Sequence, residues 1–302
     1  MPIIQCPVAK HAKTSPDTIA LYSDNDTLTY KSLHENINTV HGCLIKLGIK
    51  EGQHVAVISN DKHIIIELLF ATIRLGAVLF IINPTLPTKY QESLLNRANI
   101  AFCFNFTLKE LNITNVYSYT DINNPSNSVE NTQLSTHQIT TLLATSGSTG
   151  VPKLAMHSLG NHYYSAIGSN DALQLKNNSI WHHTLPLYHV SGLSILFRCL
   201  LQGAGIFLPT DTKTLNSEIS PTHLSCVSTQ LIRYLDNLSS IKKLQQYKVI
   251  LLGGSAVSES IIQNALECRL PLFYSYGLTE MSSMVTCKKV ISTKLNCSGK
   301  AI

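Results

Sequence analysis

From Gly52 onward, short apolar runs alternate with longer amphipathic ones, and few folds accommodate that alternation. Strand-length runs separated by helix-length ones build βαβ units, whose parallel strands need cover on both faces of the sheet. Residues 55–59 predict a strand, 64–75 a helix and 77–82 a second strand, which Asn83-Pro84 ends because proline cannot donate to a ladder. A helix over 88–98 and a strand over 100–104 follow. Residues 121–138 are nearly all polar, rich in Asn and Ser and without hydrophobic period, so they are expected to form a long surface connection. Beyond them, 139–145 predicts a core strand, 154–157 another strand and about 161–173 a helix, and a second α/β series runs from Trp181 to the end. The expected fold class is α/β, two adjacent α/β subdomains with parallel-rich sheets. The expected boundaries are 53–180 and 181–302, with 1–52 packing on the second.

A chain of 302 residues has the length of about two compact lobes. With 44% hydrophobic and 14% charged residues it has the content of a globular core and lacks the charge of a disordered chain. Against 18 acidic residues stand 23 Lys and Arg, a formal charge of +5, but no basic run exceeds two residues. Nucleic-acid and polybasic membrane surfaces need clustered charge, so neither is an expected partner, and anionic small molecules are. Residues 64–82 are apolar enough to cross a bilayer but carry Glu67, Arg74 and Gly76. They are expected to form a buried helix and a core strand. Lys10, His11 and Lys13 stand where a signal peptide needs its apolar stretch. The eight cysteines are scattered without a C-x-x-C pair, as in reduced thiols of a cytoplasmic protein. Nothing in the sequence fixes an oligomeric state.

The chemistry concentrates after residue 144. Thr145-Ser146-Gly147-Ser148-Thr149-Gly150-Val151-Pro152-Lys153 packs hydroxyls, two glycines and a lysine between two expected strands. Glycines let successive N–H groups turn toward one point, Ser and Thr add donors, and Lys153 adds charge, which together suit a polyphosphate such as ATP, although composition alone fits an ordinary Gly/Ser turn equally well. The spacing is neither that of a P-loop nor G-x-G-x-x-G.

This string resembles the signature of the adenylate-forming superfamily, which includes the acyl-CoA synthetases; Leu154, where that family usually has Gly, is the departure. Pro186-Leu187-Tyr188-His189 resembles the family's acyl-pocket segment, and Leu251-Leu252-Gly253-Gly254-Ser255 the turn where nucleotide and acyl group lie close to the backbone. Tyr276-Gly277-Leu278-Thr279-Glu280 is similar to the motif that holds AMP and magnesium. The resemblance implies the large N-terminal region of such an enzyme. Ser146, Ser148, Thr149 and Lys153 would close over the β- and γ-phosphates, Thr279 would bond the α-phosphate, Glu280 would hold Mg²⁺, and Tyr276 would lie against adenine. His189 would stand at the mouth of the acyl pocket.

Longer strings around Asn161, over 185–198 and over 277–281 resemble the o-succinylbenzoate-CoA ligases of menaquinone biosynthesis. The implied reaction is ATP-dependent activation of an aromatic dicarboxylate to its acyl-adenylate and then to the thioester, with CoA as co-substrate. The second carboxylate needs a buried partner. Arg198, in an almost wholly apolar segment with Ser194 one turn earlier on the same face, is the candidate. No T-G-D string follows, so the chain is expected to be a fragment without the C-terminal domain and its lysine, and neither half-reaction is expected to run well without them. Two other readings stay open: a general aryl- or fatty-acyl-CoA ligase, which would need no pocket arginine, and a non-catalytic nucleotide-binding remnant.

Overall fold

The computed structural model describes residues 2–107, 109–112, 115–118, 121, 132–145, 153–212, 215, 218–293 and 297–302. The described chain forms two compact units: Met1–Asp17, Tyr30–Tyr163 and Leu187–His189 make the first, and Thr18–Thr29, Tyr164–Pro186 and Val190–Ile302 the second. Elements are numbered along the chain.

In the first unit β4 (His54–Ile58), β5 (Val78–Ile82), β6 (Phe102–Asn105), β7 (Val116–Tyr117) and β9 (Ile139–Thr145) run parallel, and β10 (Lys153–Ser158) closes one edge antiparallel. The order across this sheet is β10-β9-β5-β4-β6-β7. Strands β4 and β5 are buried almost throughout, which is why they read as unbroken apolar runs. Helix α3 (Lys62–Leu75) starts where Asp61 accepts hydrogen bonds from the N–H groups of His63, at 2.8 Å, and Ile64, at 3.4 Å. The apolar stretch over 64–82 therefore divides into α3 and β5, and no helix among the described residues is long and apolar enough to cross a membrane. Helix α4 (Thr88–Arg97) buries Leu94 and Leu95 against the Ala56, Phe80 and Leu142 core of this sheet.

Two expectations need correction. The polar stretch over 121–138 contains a strand, β8 (Gln133–Ser135), which pairs antiparallel with β1 (Ile3–Gln5) and buries Leu134. Residues 1–52 do not all pack on the second unit. Helices α1 (Pro7–Thr14) and α2 (Tyr30–Lys46) belong to the first, because α2 packs on α3 through Leu33, Ile37, Val40 and Leu44, spaced at three or four residues.

Only the hairpin of β2 (Ile19–Tyr22) and β3 (Thr27–Thr29) joins the second unit, where β2 pairs with β12 (Gly205–Phe207). There, β2, β12, β11 (Ile180–His182), β13 (His223–Cys226), β14 (Val249–Leu252) and β15 (Leu272–Leu278) run parallel. Antiparallel β16 (Ser283–Lys289) and β17 (Lys300–Ala301) extend one edge, and β3 the other. Helix α5 (Leu159–Ala172) contributes its residues from Tyr164 on; α6 (Val190–Gln202), α7 (Ser228–Leu235), α8 (Leu238–Leu244) and α9 (Glu259–Glu267) complete the unit. Leu224, Leu231, Ile250, Leu252, Ile262 and Leu272 form its core.

Candidate active site

In the first unit the carboxyl ends of β4, β5, β6 and β9 share one edge, the place where open α/β sheets bind ligands. The hydroxyl-rich string leaves that edge. Thr145 ends β9 and Lys153 opens β10 directly opposite, with the Thr145 hydroxyl 3.5 Å from the Lys153 carbonyl. The side chain of Lys153 is exposed. Ser146, Gly147, Ser148, Thr149 and Gly150 lie outside the described residues. His189 also belongs to this unit; it is exposed, its ring 4.7 Å edge-on from that of Tyr188.

The second unit gathers the other two motifs at the carboxyl ends of neighbouring strands. Strand β14 runs out into Gly253-Gly254-Ser255, and β15 carries Tyr276-Gly277-Leu278 into a short 3-10 turn, Thr279–Met281. Close backbone approach explains the glycines. A Cβ on Gly253 would sit 2.5 Å from Ser275 Oγ, and one on Gly277 would sit 2.0 Å from the Ser283 carbonyl oxygen. Gly254 has φ +83°, a left-handed conformation that side chains rarely adopt. The Ser255 hydroxyl lies 3.2 Å from that of Ser228, at the start of α7 after β13, so three successive parallel strands deliver small or hydroxyl groups to one edge. Tyr276 is 48% exposed and Glu280 is exposed. Among the described residues no three His, Cys, Asp or Glu side chains cluster as a metal cage. A single open carboxylate is still what Mg²⁺ uses when substrate phosphates and water supply its other oxygens.

Against β11 and β16 lies a buried cation. Arg198, on α6, is 1% exposed, and burial brings its guanidinium down to about 10, which leaves it charged at neutral pH. Its Nη2 donates to Ser283 Oγ at 3.3 Å, and Ser194 Oγ, one turn earlier, lies 3.1 Å from the same oxygen. Its Cζ is 5.5 Å from the centroid of the Trp181 ring, and its carbonyl accepts from Asn170 Nδ2 at 2.9 Å. No carboxylate among the described residues acts on it; Cys199 and Cys287 are the nearby titratable groups.

Ser283, Trp181 and Asn170 were not among the expected site residues. Ser283 stands three positions beyond Glu280 and has φ 104°, rare for a residue other than glycine. Trp181 is the only tryptophan of the chain. Neither position carries a local pattern that marks it; only its contact with Arg198 does.

The family model for AMP-binding enzymes matches residues 8–302. The 2-succinylbenzoate–CoA ligase of Haemophilus influenzae is 34% identical over 275 residues, which are 90% of this chain and 58% of that protein. The ligase of the same name from Bacillus cereus is 29% identical over 308 residues, 97% of this chain and 63% of that one. The chain thus spans about three fifths of the length of these curated relatives. Among solved structures, o-succinylbenzoate coenzyme A synthetase from Bacillus subtilis in complex with AMP superposes with a TM-score of 0.88 at 23% identity, over 100% of this chain and 81% of that one. E. coli MenE bound to an analogue of OSB-AMS superposes with a TM-score of 0.85 at 26% identity, over 99% of this chain and 65% of that one. Strand-end motifs in the family's order and a family match from residue 8 to residue 302 lead to one conclusion: the chain belongs to the AMP-binding enzyme family.

Proposed function

We propose that this chain is the nucleotide- and acid-binding part of an AMP-forming acid–CoA ligase whose acid is o-succinylbenzoate. One observation carries the choice of acid. Arg198 is a buried, charged guanidinium that, among the described residues, meets a serine hydroxyl and an indole and no carboxylate. A cation removed from water without a counter-charge is costly, and a second carboxylate on the substrate removes that cost. The likeness to curated 2-succinylbenzoate–CoA ligases supports the same acid.

In the reaction proposed, an oxygen of the succinyl carboxylate attacks the α-phosphorus of ATP, the bond to the bridging oxygen breaks, and pyrophosphate leaves. The CoA sulfur then displaces AMP from the acyl carbon and loses its proton. No protein nucleophile is needed, so positioning and charge neutralisation carry the rate. Lys153 and the hydroxyls of Ser146, Ser148 and Thr149 bind the β- and γ-phosphates, and Thr279 donates to the α-phosphate. Tyr276 covers the adenine, and Gly253-Gly254-Ser255 lets the nucleotide lie against the backbone. Glu280 would hold Mg²⁺, which would supply charge neutralisation at the phosphates. His189 orients the acyl group or admits the thiol. Arg198, with Ser194 beside it, accepts the ring carboxylate. The eight unpaired cysteines suit a reducing compartment and support a cytoplasmic setting.

The test is pyrophosphate exchange in the complete protein with o-succinylbenzoate and with a monoacid analogue lacking the ring carboxylate, for wild type and Arg198→Ala. A loss of about 2 to 5 kcal/mol is expected for the diacid, with little for the monoacid. Equal losses for both acids would refute the assignment.

A further inference from the structure

Resting on that reading of Arg198, we propose that Trp181 is its positioning residue: the face of the indole fixes the plane of the guanidinium, and with it the discrimination between a diacid and a monoacid. The polar contacts of Arg198 are too few to do this. Among the described residues Nη2 makes one 3.3 Å bond, to Ser283, while Nε is buried and donates to none. One bond leaves a guanidinium free to swing about it. The indole removes that freedom, because Cζ lies 5.5 Å from its centroid, within the range where a cation is held by the ring's negative face.

The rest of the surroundings fit this role. Trp181 is 0% exposed on β11, a central strand flanked by β12 and β13, so its ring cannot move away. Among the described residues the imidazole of His223 also lies against it, 5.2 Å away. Burial holds that imidazole neutral, down to about 4, so it brings no second cation to the indole. Asn170 fixes the backbone of the same helix turn through the Arg198 carbonyl. Backbone, one donor edge and ring face are thus set from three different elements, α5, β16 and β11.

Trp181→Leu keeps an apolar side chain at this position and removes the ring face; Trp181→Phe keeps a smaller face. In the complete protein, the ratio of kcat/KM for o-succinylbenzoate over the monoacid is expected to fall about tenfold in Trp181→Leu and to recover most of that in Trp181→Phe. A packing role alone would lower both acids together and would not favour Phe, and that result overturns the proposal. If Arg198→Ala discriminates and Trp181→Leu does not, the proposal fails while the reading of Arg198 stands. If Arg198→Ala does not discriminate, that reading itself has failed. A second measurement reads fluorescence rather than turnover. The emission lost on Trp181→Phe substitution belongs to Trp181, and saturating diacid is expected to change that component in wild type but not in Arg198→Ala. An unchanged emission with bound diacid overturns the proposal.

Discussion

Replacing Gly277 by alanine tests whether the strand pairing at the nucleotide motif is as close as the geometry requires. The added Cβ would lie 2.0 Å from the Ser283 oxygen, 2.7 Å from its carbonyl carbon and 3.0 Å from Met284 Cα, where ordinary contact begins at 3.4 Å. All three are backbone atoms of β16, so no side chain can rotate out of the way. Relief requires β15 and β16 to part by more than about 1 Å at the bulge between Tyr276 and Gly277, where Gly277 faces Met284 and Leu278 faces Ser283. Overpacking of this kind costs about 1 to 3 kcal/mol, and one or two weakened ladder bonds add about 1 kcal/mol each. A loss of about 2 to 5 kcal/mol is therefore expected, a fall in Tm on the order of 5 °C or more. Ser283 moves with the strand, and its hydroxyl is the one that takes the Arg198 bond. Use of the diacid is expected to weaken more than that of the monoacid. Thermal unfolding followed by circular dichroism, with exchange assays on both acids, gives the two readouts. A variant that melts within about 1 °C of wild type and keeps its preference for the diacid would refute the close approach and its link to Arg198.

Gly253→Ala is expected to be milder than Gly277→Ala in the same melts. Its Cβ meets the Ser275 hydroxyl at 2.5 Å, a rotatable group that now donates to Leu252 O, so the cost is one hydrogen bond, about 0.5 to 1.5 kcal/mol; a larger loss than at Gly277 contradicts this. Lys153→Ala should weaken MgATP use roughly tenfold to a hundredfold in pyrophosphate exchange, the loss of one charge-assisted contact, and wild-type exchange would refute the loop assignment. His223 is 1% exposed and is pushed down to about 4, first by burial, then by Lys248, against the effect of its bond to Leu173. Its folded value lies below the unfolded 6.5, so the unfolded chain binds more protons between these pH values. The stability this group contributes is full above about 6.5 and falls by up to about 3 kcal/mol toward pH 4. Urea midpoints measured at neutral pH and near pH 5 should show the slope, and His223→Gln should flatten it; an unchanged slope in the variant sinks the assignment.

What could be read from the sequence was what a local pattern encodes. Strands β4 and β5 and helix α3 were legible because burial on all sides writes an unbroken apolar run, and the bounds differ only at the caps. Strand β8 was not, because Leu134 is the one apolar residue between Glu130 and Gln138 and its partner, β1, lies about 130 residues earlier. The same distinction divides the site. Gly254 answers to its own backbone turn, while Gly253 and Gly277 answer to Ser275 and to the Ser283 and Met284 backbone, yet all three sit in short strings that can be read as motifs. The surroundings of Arg198 are written nowhere as a string. Its hydroxyl partner is 85 residues away on β16, its ring partner is on β11, and its carbonyl is held from α5. An apolar helix with one arginine says only that the charge is buried. On the proposed reading of Arg198, the acid it accepts depends on three residues that meet it through sheet pairing and helix packing, so changes at Trp181, Asn170 or Ser283 are expected to alter the preferred acid while the nucleotide strings stay intact.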